Sequence, residues 1–285
     1  MLGILLGFGI LGAVAFALAG GVGDGPVAPD ASGAGTGEVE PPKPILRIVF
    51  PEGFTRKEMA RRIAEVNQIA EDKRNITPSL SPKEYLGASV RVRTGSLPTD
   101  FKGLKAPHLE GFLFPATYEF FPDTTSPELI ARQLDAFSNA WARVDTKYAR
   151  SKRLTPYDIV VIASMVEKEV QVPKERALVA AVIYNRLRVD MPLGIDATIR
   201  YGLDIPPTQA ILQSQLDSDS PYNTRKFAGL PPTPIGNPGL ASLQAAAHPA
   251  EVDFLYFVRK ADCKSHFFTA SKQEFDEYPR AGLQC

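Results

Sequence analysis

Two glutamates at the end of an apolar segment are the residues of this sequence best placed for acid–base chemistry. The segment begins with Thr155 and Pro156, which suit the N-cap and the first position of a helix, and ends with Glu167 and Glu169. At about 100° per residue, Glu167 lies beside the apolar stripe of this helix. Burial disfavours a charged carboxylate, so a buried Glu167 would act as a proton donor. The alternative is a solvated surface helix on which both glutamates flank Lys168.

Two further stretches have compositions that suit the walls of a binding site. Residues 108–120 are rich in aromatic side chains, which can stack on sugar rings, although aromatic residues in strands more often form core. Residues 220–238 contain closely spaced prolines, which restrict the unfolded chain and favour a preorganised loop. Together these stretches predict a site wall near the acidic helix.

The charge balance and the cysteines argue against several classes of function. Lys+Arg and Asp+Glu both number 32, so no net charge favours binding to nucleic acid. The two cysteines, Cys263 and Cys285, lack the spacing of metal ligands, and no metal site is predicted. They form a disulfide if the domain lies outside the cytosol, or they remain two separate thiols; their spacing does not decide between these alternatives.

The N-terminal part of the sequence predicts a membrane anchor and a tether. Residues 1–22 carry no charged side chain and reach the roughly twenty apolar residues that span a bilayer. They lack the basic start of a signal peptide, which favours an uncleaved anchor over a cleaved signal. Residues 23–44 are mostly small, proline or acidic residues, a composition typical of a flexible linker.

The rest of the sequence predicts an α+β fold in two parts. Residues 45–104 indicate a strand and two helices, which make a small α+β module or a mere spacer. Residues 105–285 indicate a larger α+β domain. Its predicted elements are helices over residues 127–144, 156–170, 173–188 and 240–247, the last capped by Asn237, and a hairpin of residues 254–258 and 266–269.

Four blocks of sequence stand out together. They are LEGFLFPATY at residues 109–118, ASMVEKE at 163–169, NRL at 185–187 with DAT at 196–198, and SPYNT at 220–224 with GLPPTPI at 229–235. These blocks resemble the membrane-anchored endolytic murein transglycosylases, the YceG-like family. The resemblance covers nearly the whole chain and implies a LysM-like module at residues 45–104 and a catalytic domain at residues 105–285. Gly194 and Ala197 depart from the family pattern, where a glutamine and a proline are expected, which puts the fine substrate preference in doubt.

The resemblance implies cleavage of peptidoglycan strands at the β-1,4 bond between N-acetylmuramic acid and N-acetylglucosamine, leaving a 1,6-anhydro end. Glu167 is carried over as the catalytic acid, which protonates the leaving oxygen and then accepts the proton of the C6 hydroxyl that attacks C1. Because this nucleophile belongs to the substrate, no second carboxylate is needed. Glu169 points about 160° away from Glu167 on a helix and is not predicted to be a nucleophile.

The resemblance also implies which residues line the cleft and where the enzyme works. Substrate-binding roles are carried over to Glu110, Asn185, Arg186, Asp196, Thr198, Tyr222, Asn223 and Thr224. Asn185 and Arg186 could instead cap their helix and pair with Asp196. No cofactor, metal ion or nucleic acid is implied. The implied partners are peptidoglycan strands, the membrane and peptidoglycan synthases, with the catalytic domain on the extracytoplasmic side of the cell membrane, where it terminates or trims nascent strands.

Proteins of other classes remain alternatives to this enzyme. One is a non-catalytic cell-wall-binding or division scaffold with the same fold. Another is a conventional glycan hydrolase with Glu167 as the acid and Glu169, Glu110 or Asp196 as the second carboxylate. A serine hydrolase is disfavoured, because Ser164 is predicted to face away from the core and lacks a Gly-x-Ser-x-Gly turn. Anhydro ends, reducing ends or no cleavage distinguish these classes.

Overall fold

The computed structural model describes residues 42–90 and 97–279. The predicted anchor over residues 1–22, most of the predicted linker and Cys285 lie outside the described residues. Within the described part of the chain, no helix is long and apolar enough to cross a membrane.

The described residues form an α+β fold, as predicted, with helices around two small antiparallel sheets. The strands are β1 Leu46–Val49, β2 Thr117–Phe120, β3 Tyr256–Arg259 and β4 His266–Thr269. The helices are α1 Arg56–Arg74, α2 Pro82–Ala88, α3 Ser126–Trp141, α4 Lys147–Ser151, α5 Pro156–Glu169, α6 Arg176–Arg188, α7 Asp196–Gly202, α8 Gln213–Leu216, α9 Leu240–Ala247 and α10 Lys272–Glu277. Short 3-10 turns cover Thr99–Phe101 and Pro173–Glu175.

Capping residues start the two helices that matter most for the site. Thr155 accepts a hydrogen bond from the Asp158 backbone N–H at 3.2 Å, and the Asp158 carboxylate accepts the Thr155 N–H at 2.7 Å. Thr55 and Glu58 form the same reciprocal pair at the start of α1. Each arrangement satisfies backbone donors that a helix leaves unpaired, which typically stabilises a protein by about 1 kcal/mol. The predicted starts of α1 and α5 are confirmed.

Strands β1 and β2 join residues that are far apart in the sequence. Leu46 pairs with Phe120 and Ile48 pairs with Tyr118, and all four side chains are buried. The alternate residues of β1 are exposed, as expected for a strand with one face on the core. This pairing crosses the predicted boundary between residues 104 and 105, and the described residues from Lys43 onward form one compact unit.

Helix α5 lies at the centre of this unit. Every residue of Ile159–Val166 is buried, because α6, α7 and α9 pack around the helix rather than against one stripe. Ser164 is buried as well: its Oγ donates to the Val161 carbonyl at 2.7 Å and accepts the Ile235 N–H at 3.0 Å. The prediction that Ser164 faces away from the core is therefore wrong. Both of its partners are backbone groups, so no histidine activates this hydroxyl.

The aromatic segment supplies core rather than a surface for sugar rings. Phe112 is fully buried, with its ring 5.1 Å from those of Phe101 and Phe137. Trp141 completes the cluster, 4.8 Å from Phe101. Aromatic pairs at such distances contribute about 0.5–1.5 kcal/mol beyond the area that they bury. The cluster fixes the start of this segment, which carries Glu110, against α3.

Candidate active site

Two cavities meet at the C-terminal end of α5. The smaller has a volume of about 490 Å³ and the larger about 1010 Å³. They share four wall residues, which are Glu169, Asp196, Phe257 and Val258. The cleft therefore extends to both sides of the Glu169 carboxyl group.

Glu169 is half-buried at the last position of α5. Burial raises the pKa of its carboxyl group to about 7, although the Arg259 guanidinium opposes this shift. The Asp196 carboxylate adds to the rise, and Arg225 opposes it. A carboxyl group with such a pKa is partly protonated near neutral pH and can act both as an acid and as a base.

The Asp196 carboxylate forms an ion pair with Arg225 in the shared wall of the cleft. Arg225 Nε lies 2.5 Å from Asp196 Oδ1, and this bond raises the pKa of the guanidinium. Both side chains are about half exposed. Asp196 thus lies beside Glu169 in the cleft, but Arg225 is its partner, and the predicted alternative of pairing with Arg186 is wrong.

Glu167, the predicted acid, is not among the residues that line either cavity. Only 6% of its side chain is exposed. Its Oε2 accepts the Gly239 backbone N–H at 3.0 Å, and its Oε1 lies 3.6 Å from Arg176 Nη2. The carboxylate therefore ties the end of α5 to the N-cap of α9 and to the start of α6. A catalytic role for Glu167 stays a prediction.

Glu52 belongs to the same cluster of charges. Its Oε2 lies 3.9 Å from Arg176 Nη2. Burial and the nearby charge of Glu167 raise the pKa of Glu52. The carboxylates of Glu52 and Glu167 thus share the guanidinium of Arg176. Its positive charge offsets the repulsion between the two carboxylates.

Glu110 is a buried carboxyl group in the wall of the larger cavity. It accepts hydrogen bonds from the Arg56 backbone N–H at 3.0 Å, from Asn237 Nδ2 at 2.8 Å and from Tyr201 Oη at 3.1 Å. Burial raises its pKa to about 7 in spite of these donors. Glu110 thus joins the start of α1, the end of α7 and the loop before α9, which suits a positioning role.

Asn237 organises the backbone behind Glu110. Its Oδ1 accepts the N–H groups of Gly111 and Leu113 at 2.8 and 2.9 Å, and its Nδ2 donates to the Phe54 carbonyl at 2.8 Å. The prediction that Asn237 caps the following helix is wrong, because Gly239 holds that position. Gly111 has φ +90° and an added Cβ would lie 2.6 Å from Pro234, so this turn requires glycine.

Four of the predicted binding residues direct their side chains into the protein. Asn185 donates to the carbonyls of Val252 and Phe254, and Asn223 donates to those of Leu216 and Ser218. The hydroxyls of Thr198 and Thr224 are 2.9 Å apart and buried. These four residues shape the loops of the cleft and do not line either cavity.

Arg186 and Tyr222, by contrast, reach the cleft. Arg186 lines the smaller cavity, and its guanidinium donates to the carbonyls of Leu255 and Leu193, both at 2.6 Å. Tyr222 lines the larger cavity, where its hydroxyl lies 2.8 Å from Thr233 Oγ1.

The two departures from the expected pattern also lie in the walls of the cleft. Gly194 lines the smaller cavity and Ala197 the larger. Gly194 has φ +63°, and an added Cβ would lie 3.2 Å from Arg186 Nη1. A side chain at position 194 would therefore change both the backbone and the space beside Arg186.

Sequence reasoning gave no role in the cleft to three residues with charged or titratable side chains that line it beside Glu169. Arg225, Arg259 and His266 all line a cavity that Glu169 shares. Arg225 directly follows the SPYNT block, which was a usable signal, whereas β3 and β4 carry Arg259 and His266 to α5 from far along the chain. Within residues 42–90 and 97–279, no group of three or more His, Cys, Asp or Glu side chains is arranged to hold a metal ion.

The fold agrees with comparisons to known proteins. The chain belongs to the YceG-like family, whose sequence profile matches residues 36–281. The endolytic murein transglycosylase of Bacillus subtilis is 31% identical over 230 residues, which cover 80% of this chain and 63% of that protein. The protein of the same name from Streptococcus pneumoniae is 31% identical over 261 residues, which cover 84% of this chain and 45% of that protein.

A solved structure shares the fold. The YceG-like protein of Listeria monocytogenes matches with a TM-score of 0.68 and 29% identity, over 82% of this chain and 76% of that chain. The chain spans less than two thirds of the length of each of the two curated relatives described above.

Proposed function

We propose that this chain is an endolytic murein transglycosylase that cleaves the β-1,4 bond between N-acetylmuramic acid and N-acetylglucosamine. The carrying observation is Glu169, a half-buried carboxyl group with a pKa of about 7 between two cavities. A strand that is cut internally must continue on both sides of the reacting bond, which a cleft of this form allows. The identity of 31% to two proteins named endolytic murein transglycosylase also supports the proposal.

In the proposed reaction Glu169 acts first as acid and then as base. Its carboxyl proton goes to the glycosidic oxygen, and the bond from C1 to that oxygen breaks. The C6 hydroxyl of the same muramic acid attacks C1, and the Glu169 carboxylate accepts its proton. A 1,6-anhydro end forms, no water is consumed and Glu169 is protonated again, so a single carboxyl group is sufficient.

The charges around Glu169 suit both halves of this cycle. Burial favours the protonated acid that the first step needs. The guanidinium groups of Arg259 and Arg225 favour the carboxylate that remains after proton transfer. Opposing influences of this kind keep the pKa near the working pH, where transfer in both directions is efficient.

Glu169 suits this role better than Glu167, although both belong to the same helix. Glu167 is bound to Gly239 and Arg176 and does not line either cavity, which argues against a direct contact with a glycan in the cleft. We therefore assign the proton transfers to Glu169 and a positioning role to Glu167.

A conventional hydrolase is the second candidate, because Asp196 shares both cavities with Glu169. In that reaction Asp196 would activate a water molecule or form a glycosyl intermediate. The ion pair with Arg225 occupies one of the oxygens of Asp196.

Product analysis tests the proposal directly. Purified peptidoglycan is digested with the compact unit from Lys43 onward, and the new chain ends are identified by mass spectrometry. Anhydromuramyl ends are expected. Reducing ends would establish the hydrolase instead, and binding without cleavage would establish a non-catalytic scaffold.

The setting of the enzyme is proposed from the sequence. Residues 1–22 would anchor it in the cell membrane, residues 45–104 would act as a LysM-like module, and the catalytic part would trim or terminate nascent strands beside peptidoglycan synthases. The catalytic part would then lie on the extracytoplasmic side of the membrane. Protease digestion of intact spheroplasts should degrade the catalytic part. Protection until the membrane is broken would contradict this location.

A further inference from the structure

Glu175 and His266 form a buried pair at the wall of the larger cavity. Their side chains are only 6% and 2% exposed. Glu175 Oε1 accepts the His266 backbone N–H at 3.1 Å, and Glu175 Oε2 lies 2.8 Å from His266 Nδ1. Because a carboxylate can only accept hydrogen bonds, Nδ1 carries the proton of this bond. In the neutral ring, Nε2 is then a hydrogen-bond acceptor.

The ring of His266 is held on several sides. The ring of Phe257 meets it edge-on at 5.4 Å, and the ring of Phe268 lies 6.0 Å away. The backbone of His266 pairs with Arg259 in the sheet of β3 and β4. The imidazole is therefore preorganised before any ligand arrives.

The remaining nitrogen, Nε2, belongs to a ring of which only a small part is accessible from the cleft. No hydrogen bond joins Nε2 to another described residue, and the atom keeps a small accessible area. His266 lines the larger cavity, the same cavity that contains Glu169. A ligand in this cavity would therefore reach Nε2 through that small accessible part of the ring.

A purely structural role explains only half of this arrangement. The bonds from Glu175 to Nδ1 and to the backbone N–H tie β4 to the turn before α6. These bonds do not require a polar atom at the Nε2 position. An apolar group there would not carry the cost of an acceptor that has lost its water without gaining a partner. Glycan strands present hydroxyl and acetamido N–H donors that would satisfy it.

We propose that His266 contacts the substrate: its Nε2 accepts a hydrogen bond from a hydroxyl or acetamido N–H group of the glycan strand, and Glu175 positions the ring. The identity of the ligand rests on the proposed function. The contact itself does not depend on which bond is cut or on whether water takes part.

Two substitutions separate the contact from the structural role. In His266→Asn, the amide nitrogen occupies the place of Nδ1 and can still donate to Glu175, but nothing replaces Nε2. In His266→Gln, the amide reaches the Nε2 position and loses the bond to Glu175. We expect the asparagine variant to keep its thermal stability and lose the contact, and the glutamine variant to lose stability and keep the contact.

Binding is measured in the full chain carrying Glu169→Gln, so that the ligand is not consumed. Isothermal titration calorimetry with purified N-acetylglucosamine–N-acetylmuramic acid oligosaccharides should show about 2- to 10-fold weaker binding after His266→Asn, the range expected for one neutral hydrogen bond. His248→Ala, which changes an exposed histidine outside both cavities, is the control and should bind as the parent does. Unchanged affinity in a folded His266→Asn variant would overturn the proposal.

A measurement without substitution at His266 covers the case in which that variant does not fold. The sequence contains three histidines, so the ring nitrogens of His266 are readily assigned by NMR. Oligosaccharide should shift the Nε2 resonance of His266 in the Glu169→Gln protein, and an unmoved resonance under saturation would overturn the contact. Reducing ends from the unsubstituted chain would contradict the proposed function, while binding to an inactive Glu169→Gln protein would still test the contact.

Kinetics of the active chain then identify the donor. A His266→Asn variant with a raised KM and an unchanged kcat would indicate a hydroxyl or acetamido group away from the reacting bond. A lowered kcat at constant KM would indicate the C6 hydroxyl, whose contact strengthens as it reacts. No change in either constant would contradict the proposal.

Discussion

The chemistry of this protein depends on which of two neighbouring glutamates faces the cleft. Glu167 and Glu169 point in nearly opposite directions from α5, as the helical period predicts. Glu167 binds Gly239 and Arg176, whereas Glu169 meets both cavities. The sequence indicated a buried acid at this position, but the choice of face depends on β3 and on the loop before α9, which come far later in the chain.

The activity should fall as the pH rises above about 7, because the first step needs the protonated form of Glu169, whose pKa is about 7. Arg259→Gln removes a positive charge that lowers this pKa, so the basic limb of the pH–rate profile should move to higher pH. Arg259 is not among the charges that shift the pKa of Glu110, so the displacement reports on Glu169.

The control for this profile is Arg47→Gln, which changes an exposed arginine outside both cavities and should leave the limb in place. A limb that moves to lower pH after Arg259→Gln would contradict the assignment of the acid.

Glu169 should also make the stability of the protein depend on pH. Its pKa is about 7 in the folded state against 4.5 for the free side chain, so between these values the folded state holds the proton more tightly. Stability is then lost as the pH rises from 4.5 to 7. Glu169→Gln removes this loss, so the variant should be about 1–2 kcal/mol more stable than the parent at pH 8, after allowance for solvent screening.

At pH 4.5 the stabilities of the Glu169→Gln variant and the parent should nearly coincide. Urea unfolding at both pH values measures the difference. A variant that is less stable than the parent at pH 8 would show that the carboxylate is stabilised by its neighbours rather than strained by burial.

At the scale of elements, local signals in the sequence predicted more than long-range ones did. Capping residues and apolar periodicity located the starts of α1 and α5, and alternation located β1. Asn237 was misjudged as a cap, because its partners Gly111, Leu113 and Glu110 are more than one hundred residues away. The role of the aromatic segment from Phe112 onward could not be decided from the sequence for a similar reason. Its packing against α3, which places it in the core, depends on residues distant in the chain.

Asn237→Ala should strongly destabilise the protein. The change removes an acceptor for two backbone N–H groups and a donor to Phe54 and Glu110, all in a buried region. Buried groups left without a partner cost about 1–3 kcal/mol each, so a loss of at least ~3 kcal/mol is expected in urea unfolding. Gln68→Ala, on the exposed face of α1, should change stability by less than ~0.5 kcal/mol. A similarly small loss for Asn237→Ala would contradict the network.

At the scale of the whole molecule, the small predicted module and the catalytic part are joined rather than merely linked. Strand β1 pairs with β2, Arg56 binds Glu110 through its backbone, and the Gly53 N–H donates to the Asn237 carbonyl at 2.8 Å. The start of α1 thereby contributes to the wall of the larger cavity. Residues 55–58 and Arg61 of the predicted module are therefore part of the cleft wall.

The unit from Lys43 onward should unfold in a single transition. Because β1 completes the sheet with β2, residues 105–285 alone would expose the apolar face of β2 and should not fold. Calorimetry should give equal calorimetric and van't Hoff enthalpies for the whole unit. Two separate transitions, or a folded fragment of residues 105–285, would show that the two parts are independent.

The most direct test of the account compares Glu169→Gln with Glu167→Gln in the digestion of purified peptidoglycan, with the new chain ends identified by mass spectrometry. Anhydromuramyl ends should disappear completely in Glu169→Gln and persist at a reduced level in a folded Glu167→Gln variant. Cleavage that survives in Glu169→Gln, together with its loss in a folded Glu167→Gln variant, would contradict the assignment and make Glu167 the acid.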